Sequence, residues 1–516
     1  MKQLKKSLKK KITKPLILAL GLAGTVPAAA QFTLDGEVRP RFEYRHGYKA
    51  VADSNMSNAA FVQQRTRLNF GYKTEGYKFK ITLQDVRVWG SQPQLISTAA
   101  QQNNSGAYLG IHEAWGEALM SDNFSLKFGR QEIALDDHRI FGSVGWAQQA
   151  RSHDAAILKF KKEKFKADFG VAYNQDKAGL KGTEASQGSY KALQYLWLHN
   201  DFGENFGASV LVLNNGKEQL DIDSTIFLNG TPTAATDAEY YKDNYSQTIG
   251  TKLTYKKDKL SVGAAFYTQM GLAGDRNNAR TDYNGDFDKE VSAMNYGVDV
   301  SYKITDKLAA TAGYEYMSGN SQTDTSASYN RVNHAFTPFY GTNHKFNGFM
   351  DYFYVGNHGG SVGLQDIYFK LKYKADKFWV GADVHMFSAA NDVWDGFKYG
   401  QDDIAATEVL TTELAAASTQ AEFDAATAKY DAFTETKYTD YTMSSSFGTE
   451  IDLTFGFNLS KGVAFKGGYS VMMATETLAY LKGTTDYQGQ GYTDELSSWG
   501  WAMIIIKPNF TEKKDK

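Results

Sequence analysis

From residue 31 onward the chain repeats one unit: about ten residues that alternate bulky apolar with polar or small side chains, then a turn, then another such segment. In the clearest case Phe165, Ala167, Phe169, Val171 and Tyr173 share one face, and Lys166, Asp168, Gly170 and Ala172 share the other. Side chains of a β-strand point alternately to its two faces, so a period of two marks a strand with one apolar side. Ile451, Leu453, Phe455 and Phe457 repeat this against Asp452, Thr454 and Gly456, as do Ile367, Phe369, Leu371 and Tyr373 against Asp366, Lys370 and Lys372. The template predicts eighteen strands: 32–46, 60–73, 76–89, 107–119, 123–133, 150–161, 164–174, 190–200, 205–214, 244–256, 258–271, 290–304, 306–318, 362–374, 376–388, 446–459, 461–474 and 498–510. The connections alternate between long and short. Those around 74–75, 162–163, 257 and 460 are tight, whereas 215–243, 319–361 and 389–445 are long and polar. Tight turns at one end and long loops at the other are the pattern of an all-β, transmembrane, antiparallel up-and-down β-barrel of about eighteen strands.

Composition decides which face meets what. Hydrophobic residues make up 42% and aromatic residues 14%, yet mean hydropathy is −0.46. Helical membrane proteins carry apolar runs of about 20 residues, which this chain lacks. A charge-lined interior of this strand number holds water rather than a packed core, so the apolar face must meet lipid. Tyr255, Tyr302, Tyr314, Tyr373 and Trp379 fall near strand ends, which suits aromatic girdles. The absence of Cys excludes a disulfide framework and thiolate metal sites, and a net charge of −2 argues against nucleic acid as a partner. The His residues are scattered and no Gly-x-Ser-x-Gly elbow occurs, so neither an enzyme nor a cofactor is expected.

The ends and one loop read differently. Lysines dominate 2–14 with no acidic residue, Pro15 to Val26 is a short apolar stretch, and Ala28-Ala29-Ala30 follows. This is the form of a secretory signal peptide, with cleavage expected after Ala30. The expected organisation is a leader over 1–30, an outer-membrane barrel over 31–510 and a tail over 511–516. Residues 401–437 are Ala-, Thr- and Glu-rich, with Ile404, Val409, Leu410 and Leu414 near helical spacing, and read as a long, partly helical external loop.

Charge is unevenly placed. Of twelve Arg, nine lie between Arg39 and Arg151. Alternation in the first strand sends Leu34, Val38, Phe42 and Tyr44 outward and Asp35, Glu37, Arg39, Arg41, Glu43 and Arg45 into the lumen. In the second, Arg65 and Arg67 face inward. Later strands supply a more acidic wall: Asp299, Glu315, Asp366, Asp383, Glu450 and Asp452. A guanidinium offers a planar fork that matches a carboxylate in two-point contact, and a row of them gives a sliding anion several near-equal sites. The opposing reading is that these charges pair with one another and stiffen the wall. Three strands, 76–89, 107–119 and 123–133, resist simple counting. With Phe79, Ile81 and Leu83 outward, Arg87 falls toward lipid at about 2–4 kcal/mol if at mid-membrane, so a bulge near Gln84 or a position beyond the lipid zone is expected. Arg130 stands likewise relative to Phe124, Leu126 and Phe128, and 107–119 gives no clean register for Glu113 and Glu117.

The run from Phe128-Gly-Arg130-Gln-Glu through Arg139, Gly145, Trp146 and Arg151 to Asp154 resembles the signature of the alginate export family of outer-membrane porins. Arg65-Thr-Arg67-Leu, Gln84-Asp85-Val-Arg87-Val-Trp89, the His334–His344 stretch and Gly363-Leu-Gln-Asp-Ile-Tyr are similar to that family as well. The resemblance implies a monomeric eighteen-stranded barrel with an arginine-lined constriction for anionic polysaccharide. It maps that constriction onto Arg65, Arg67, Arg87, Arg130 and Arg151, with Asp85 and Asp154 as acidic neighbours. The expected function is passive passage of anionic solutes, acidic oligo- or polysaccharides foremost, with a general or small-anion (phosphate-like) porin as the alternative. The expected partners are outer-membrane lipid, the saccharide and, during biogenesis, the barrel-assembly machinery; the expected location is the outer membrane of a Gram-negative bacterium.

Overall fold

A computed structural model describes residues 31–92, 94, 109–180, 182–186, 190–220, 241–274, 289–353, 361–434, 440–486 and 488–511. The expected leader 1–30 and all but the first residue of the tail 511–516 lie outside these.

Eighteen long strands follow one another: β1 (Gln31–His46), β2 (Ala59–Lys73), β3 (Tyr77–Val88), β4 (Leu109–Leu119), β5 (Phe124–Gln131), β6 (His153–Lys162), β7 (Phe165–Tyr173), β8 (Ala192–Phe202), β9 (Phe206–Leu220), β10 (Tyr241–Lys257), β11 (Leu260–Leu272), β12 (Glu290–Lys303), β13 (Leu308–Met317), β14 (Leu364–Lys374), β15 (Phe378–Ser388), β16 (Ser446–Ser460), β17 (Val463–Ala474) and β18 (Ser497–Ile506). Each pairs antiparallel with the next, and β1 pairs with both β2 and β18, so the sheet closes into a barrel with no free edge. All eighteen overlap the expected segments; β9 continues to Leu220 and β10 begins at Tyr241, so both extend into the expected loop 215–243. A further two-residue strand, Val332–Asn333, lies parallel to Glu290–Val291 within the long connection after β13.

Alternation sorts the faces. Phe169 is 49% exposed on the outer surface, while its neighbour Asp168 is 7% exposed inside. Phe369 and Leu453 stand outward in the same way beside the buried Asp366 and Asp452. A continuous outer surface of exposed Phe, Leu, Val and Tyr around a closed polar interior is stable only against hydrocarbon. Tyr255 and Tyr302 lie on this surface near the tight turns. Trp379 does not belong to the girdle. Phe378 and Val380 are the exposed neighbours, so alternation turns Trp379 inward, where it lies 4.8 Å from Lys372 Nζ.

The last strand stops at Ile506 rather than near 510, because Pro508 has no N–H to continue the ladder. The chain still follows β1: Pro508 O accepts from Gly36 N and Leu34 O accepts from Phe510 N, both at 2.9 Å. On the β1 side the ladder with β18 skips Arg39 and Pro40, the latter again lacking a donor. In the long connection after β15, α1 (Gly396–Ala416) and α2 (Gln420–Thr434) pack on each other; residues 435–437 lie outside the description. Asp395 caps α1 by accepting from Lys398 N at 2.9 Å. Ile404 and Val409 remain exposed on it.

Candidate functional site

Inside the barrel, Arg39 stands directly opposite Arg65, and Glu37 opposite Arg67. Like charges face to face repel unless acceptors intervene. Carboxylates supply part of the answer. Arg65 donates to Glu37 at 2.6 and 2.8 Å, Arg41 to Glu43 at 2.8 Å, and Arg45 to Glu43 at 2.8 and 3.0 Å. Arg67 donates to Gln84 at 2.7 Å and lies 3.7 Å from Glu132. The remaining hydrogens go to chain that has come into the lumen. Arg39 donates to Gly145 O at 2.8 Å and to Gln148 Oε1 at 2.9 Å, and Arg41 to Trp146 O at 2.8 Å. The arginine row on β1 and β2 therefore grips the connection between β5 and β6.

That connection doubles back through left-handed residues at Asp136, His138, Val144 and Ala150. Val144, β-branched at φ 51°, is a strained choice, and its N–H is held by Thr342 Oγ1 at 3.0 Å. Thr342 belongs to a second inward segment, from the connection between β13 and β14. The two interlock by a short parallel pairing: Gly142 N donates to Tyr340 O at 2.9 Å, Tyr340 N to Ile140 O at 3.0 Å and Thr342 N to His138 O at 2.9 Å. At Gly341 a Cβ would lie 2.1 Å from Arg139 O, so only glycine fits. Trp146 stacks on His344 with ring centroids 4.5 Å apart. We call this pair of segments the plug.

The far side of the plug rests on the acidic wall. Arg139, 2% exposed, donates to Glu315 Oε1 at 2.8 Å and to Asn347 Oδ1 at 3.0 Å, and lies 4.2 Å over the Phe346 ring. Asn347 in turn donates to Glu315 at 2.9 Å and to Asp366 at 3.1 Å. Asp366 also lies 2.9 Å from His385 Nδ1. Glu450 accepts from Met350 N at 2.8 Å, and Asp452 accepts from the Ser470 hydroxyl. Burial would raise the Asp351 carboxyl within the plug. His344, Tyr48 and Lys49 outweigh that and hold it below its usual range. Glu315, Asp366 and Glu450 thus seat the plug, while Asp452 is buried in the wall beside Ser470. At Gly348, φ 74°, a Cβ would lie 2.5 Å from Glu450 Oε2. Gly348→Ala should unseat this segment, costing about 1–2 kcal/mol for the left-handed backbone alone. Faster proteolysis within 334–353 in the folded, heat-modifiable barrel is the readout, and wild-type rates would contradict the placement.

Beneath the plug, toward the tight turns, lies a cavity of about 710 Å³. Arg39, Lys259, Lys303, Lys345, Lys370, Lys372 and Lys466 line it, against one carboxylate, Asp383, which Lys370 contacts at 3.0 Å. Trp146, Trp379, Trp501 and Phe349 supply flat apolar walls. A second cavity of about 450 Å³, under the other side of the plug, balances Lys78, Lys159, Lys161 and Lys166 against Glu117, Asp122 and Asp168. Asp299 faces the lumen nearby, 4.0 Å from Lys252. The lysines are the cationic lining of the first cavity that reading the arginines missed. Their signal was present: Lys370, Lys372 and Lys466 alternate on the inward face within a few residues of a tight turn.

Four expected pore residues point the other way. β2 and β3 pair without interruption, so no bulge occurs at Gln84. The extra residue lies in β4, at His112, which turns Glu113 and Glu117 inward beside Lys80 and Lys78. Gln84 faces Arg67 inside, hence Asp85 and Arg87 fall on the outer face near the strand end, paired at 2.7 Å. Arg130 and Asp154, directly opposite each other on β5 and β6, share the outer face with Phe128 and Leu158 and pair at 2.8 Å. Neither pair lies in the lumen. Arg151 is in the plug and donates to Gly341 O at 3.2 Å.

No family model and no curated protein matches the sequence. Solved structures do match. OccK8 (OprE) of Pseudomonas aeruginosa is 9% identical with a TM-score of 0.52, over 93% of this chain and 98% of that one. OccAB4 of Acinetobacter baumannii gives 10% and 0.52 over the same shares. The outer membrane protein OprD of P. aeruginosa gives 10% and 0.50, over 93% and 94%. At such identities the likeness is one of fold, and along nearly its whole length the chain shares with these proteins a closed antiparallel barrel of eighteen strands.

Proposed function

We propose that this barrel resides in the outer membrane of a Gram-negative bacterium and is a monomeric, passive channel that favours anions, with acidic oligo- or polysaccharides of the alginate kind as its solutes. The observation that carries this reading is the vestibule on the turn side, where seven cationic side chains meet one carboxylate. Low-dielectric walls lined by one sign of charge focus the field and raise the local concentration of the opposite ion. The fold supports the location, because the structures it resembles include one described as an outer membrane protein. The indoles of Trp146, Trp379 and Trp501 favour a saccharide over a bare inorganic anion, since a sugar ring presents an apolar C–H face that packs on an aromatic plane. The small-anion alternative draws on the same lysines and leaves the tryptophans without a role.

The test is the reversal potential of the purified protein in a planar bilayer under a KCl gradient. Chloride is expected to permeate better than potassium, and oligogalacturonate to interrupt the chloride current where neutral maltooligosaccharide of equal length does not. Equal permeability of the two ions would end the anion reading. Equal block by the two saccharides would end the acidic-saccharide reading.

A further inference from the structure

We infer that Arg39 is the innermost anion site of the vestibule, and that an acidic group of the solute takes it over from the loop that now occupies it. This rests on the reading of the vestibule as the place where anions gather. Among Arg39, Arg41, Arg45 and Arg65, three have a carboxylate at hydrogen-bond distance: Glu43 serves Arg41 at 2.8 Å and Arg45 at 2.8 Å, and Glu37 serves Arg65 at 2.6 Å. Arg39 differs, for Glu37 Oε1 lies 3.9 Å from its Nε. Its hydrogen bonds run to neutral oxygens, Gly145 O at 2.8 Å, Trp146 O at 3.2 Å and Gln148 Oε1 at 2.9 and 3.1 Å. Its cross-strand neighbour is Arg65, another cation. Of the four, Arg39 is also the one that lines the lysine-rich cavity below.

A guanidinium binds a carboxylate about twice as strongly as a neutral oxygen, and in two-point geometry. Replacement of Gly145 O and Gln148 Oε1 by a solute carboxylate is therefore favourable. It removes one of the three arginine anchors of the 145–148 segment, while Trp146 O stays on Arg41 and Arg65 keeps its longer contacts of 3.4–3.5 Å to the Gly145, Ala147 and Gln148 carbonyls. The loop oxygens are place-holders, and a polycarboxylate loosens the plug that chloride leaves in place, because a monatomic ion has no pair of acceptor atoms to span the fork.

Single-channel recording of the full-length protein tests this, with oligogalacturonate as the polycarboxylate and maltooligosaccharide as the neutral control, each applied to either side in turn. The expected result is that oligogalacturonate on the turn side, besides briefly interrupting the current while a molecule occupies the bore, raises the frequency of a higher-conductance state between those interruptions, and that the control does neither. Arg39→Gln should raise the half-response concentration about tenfold or more, the loss of one charge-assisted hydrogen bond. Gln148→Ala, which weakens the place-holder, should lower it. An unchanged response in Arg39→Gln, or an upward shift in Gln148→Ala, overturns the proposal, with heat-modifiability on gels showing that each variant is folded. Anion preference in plain KCl without the oligosaccharide response would sink this site and leave the channel reading intact; the response without the preference would do the reverse.

Discussion

Arg139→Ala is expected to detach the plug while leaving the barrel standing. The side chain is 2% exposed and joins β13, through Glu315, to Asn343 and Asn347 of the second inward segment. Removing one partner of a buried ion pair leaves the other charge uncompensated, at about 3–5 kcal/mol. Here Glu315 would face Asp366 with little more than Asn347 between them. The barrel ladder does not depend on Arg139, so the penalty falls on the plug. Conductance should rise, and protease should cut near 135–150 in protein that still migrates as a folded barrel. Wild-type conductance with intact plug segments would show that the other anchors suffice.

The second large effect concerns the vestibule. Lys303→Glu, Lys372→Glu and Lys466→Glu together replace three of its seven cations with carboxylates, sparing Lys370, which is already tied to Asp383 at 3.0 Å. The permeability ratio of chloride to potassium should fall on the order of tenfold or more, enough to reverse the sign of the reversal potential. At 1 M salt, where charges are screened within about 3 Å, the difference should largely vanish. A triple variant that keeps its preference for anions at low salt would place the selectivity elsewhere.

The barrel was legible in the chain because its information is local. Alternation within ten residues and the length of each connection depend on no distant contact, and Phe169 beside Asp168 is readable without coordinates. The inward face of β1 was readable for the same reason, but what its arginines touch was not. Arg39 meets Gln148 across 109 residues of sequence, and the acceptors are largely backbone carbonyls, which every residue carries. Arg87 was drawn inward by resemblance, yet β2 and β3 pair without a bulge and plain alternation sends it out near the strand end; the extra residue sits on β4 and decides Glu113 and Glu117 instead. Arg130 and Asp154 were drawn inward by resemblance, against an alternation that sends them out with Phe128 and Leu158. Trp379 was placed in a girdle by its nearness to a strand end, although its neighbours Phe378 and Val380 already claimed the outer face. The two inward segments bury apolar residues such as Ile140, Phe141 and Phe336 that have no periodic pattern, so nothing in them distinguishes a plug from an ordinary loop.

The short ladder between the first and last strands has a further consequence. Pro40 leaves that joint without a rung, and beside the gap the plug residue Trp146 lies 4.8 Å from the Trp501 ring and 5.7 Å from the Trp499 ring on β18, while its carbonyl is bound by Arg41 of β1. One indole and its peptide group thus clasp both edges of the cylinder where the closing ladder skips Arg39 and Pro40. The segment that fills the bore is therefore also a clamp across the seam, and the same residue serves both the closure of the wall and the narrowing of the passage.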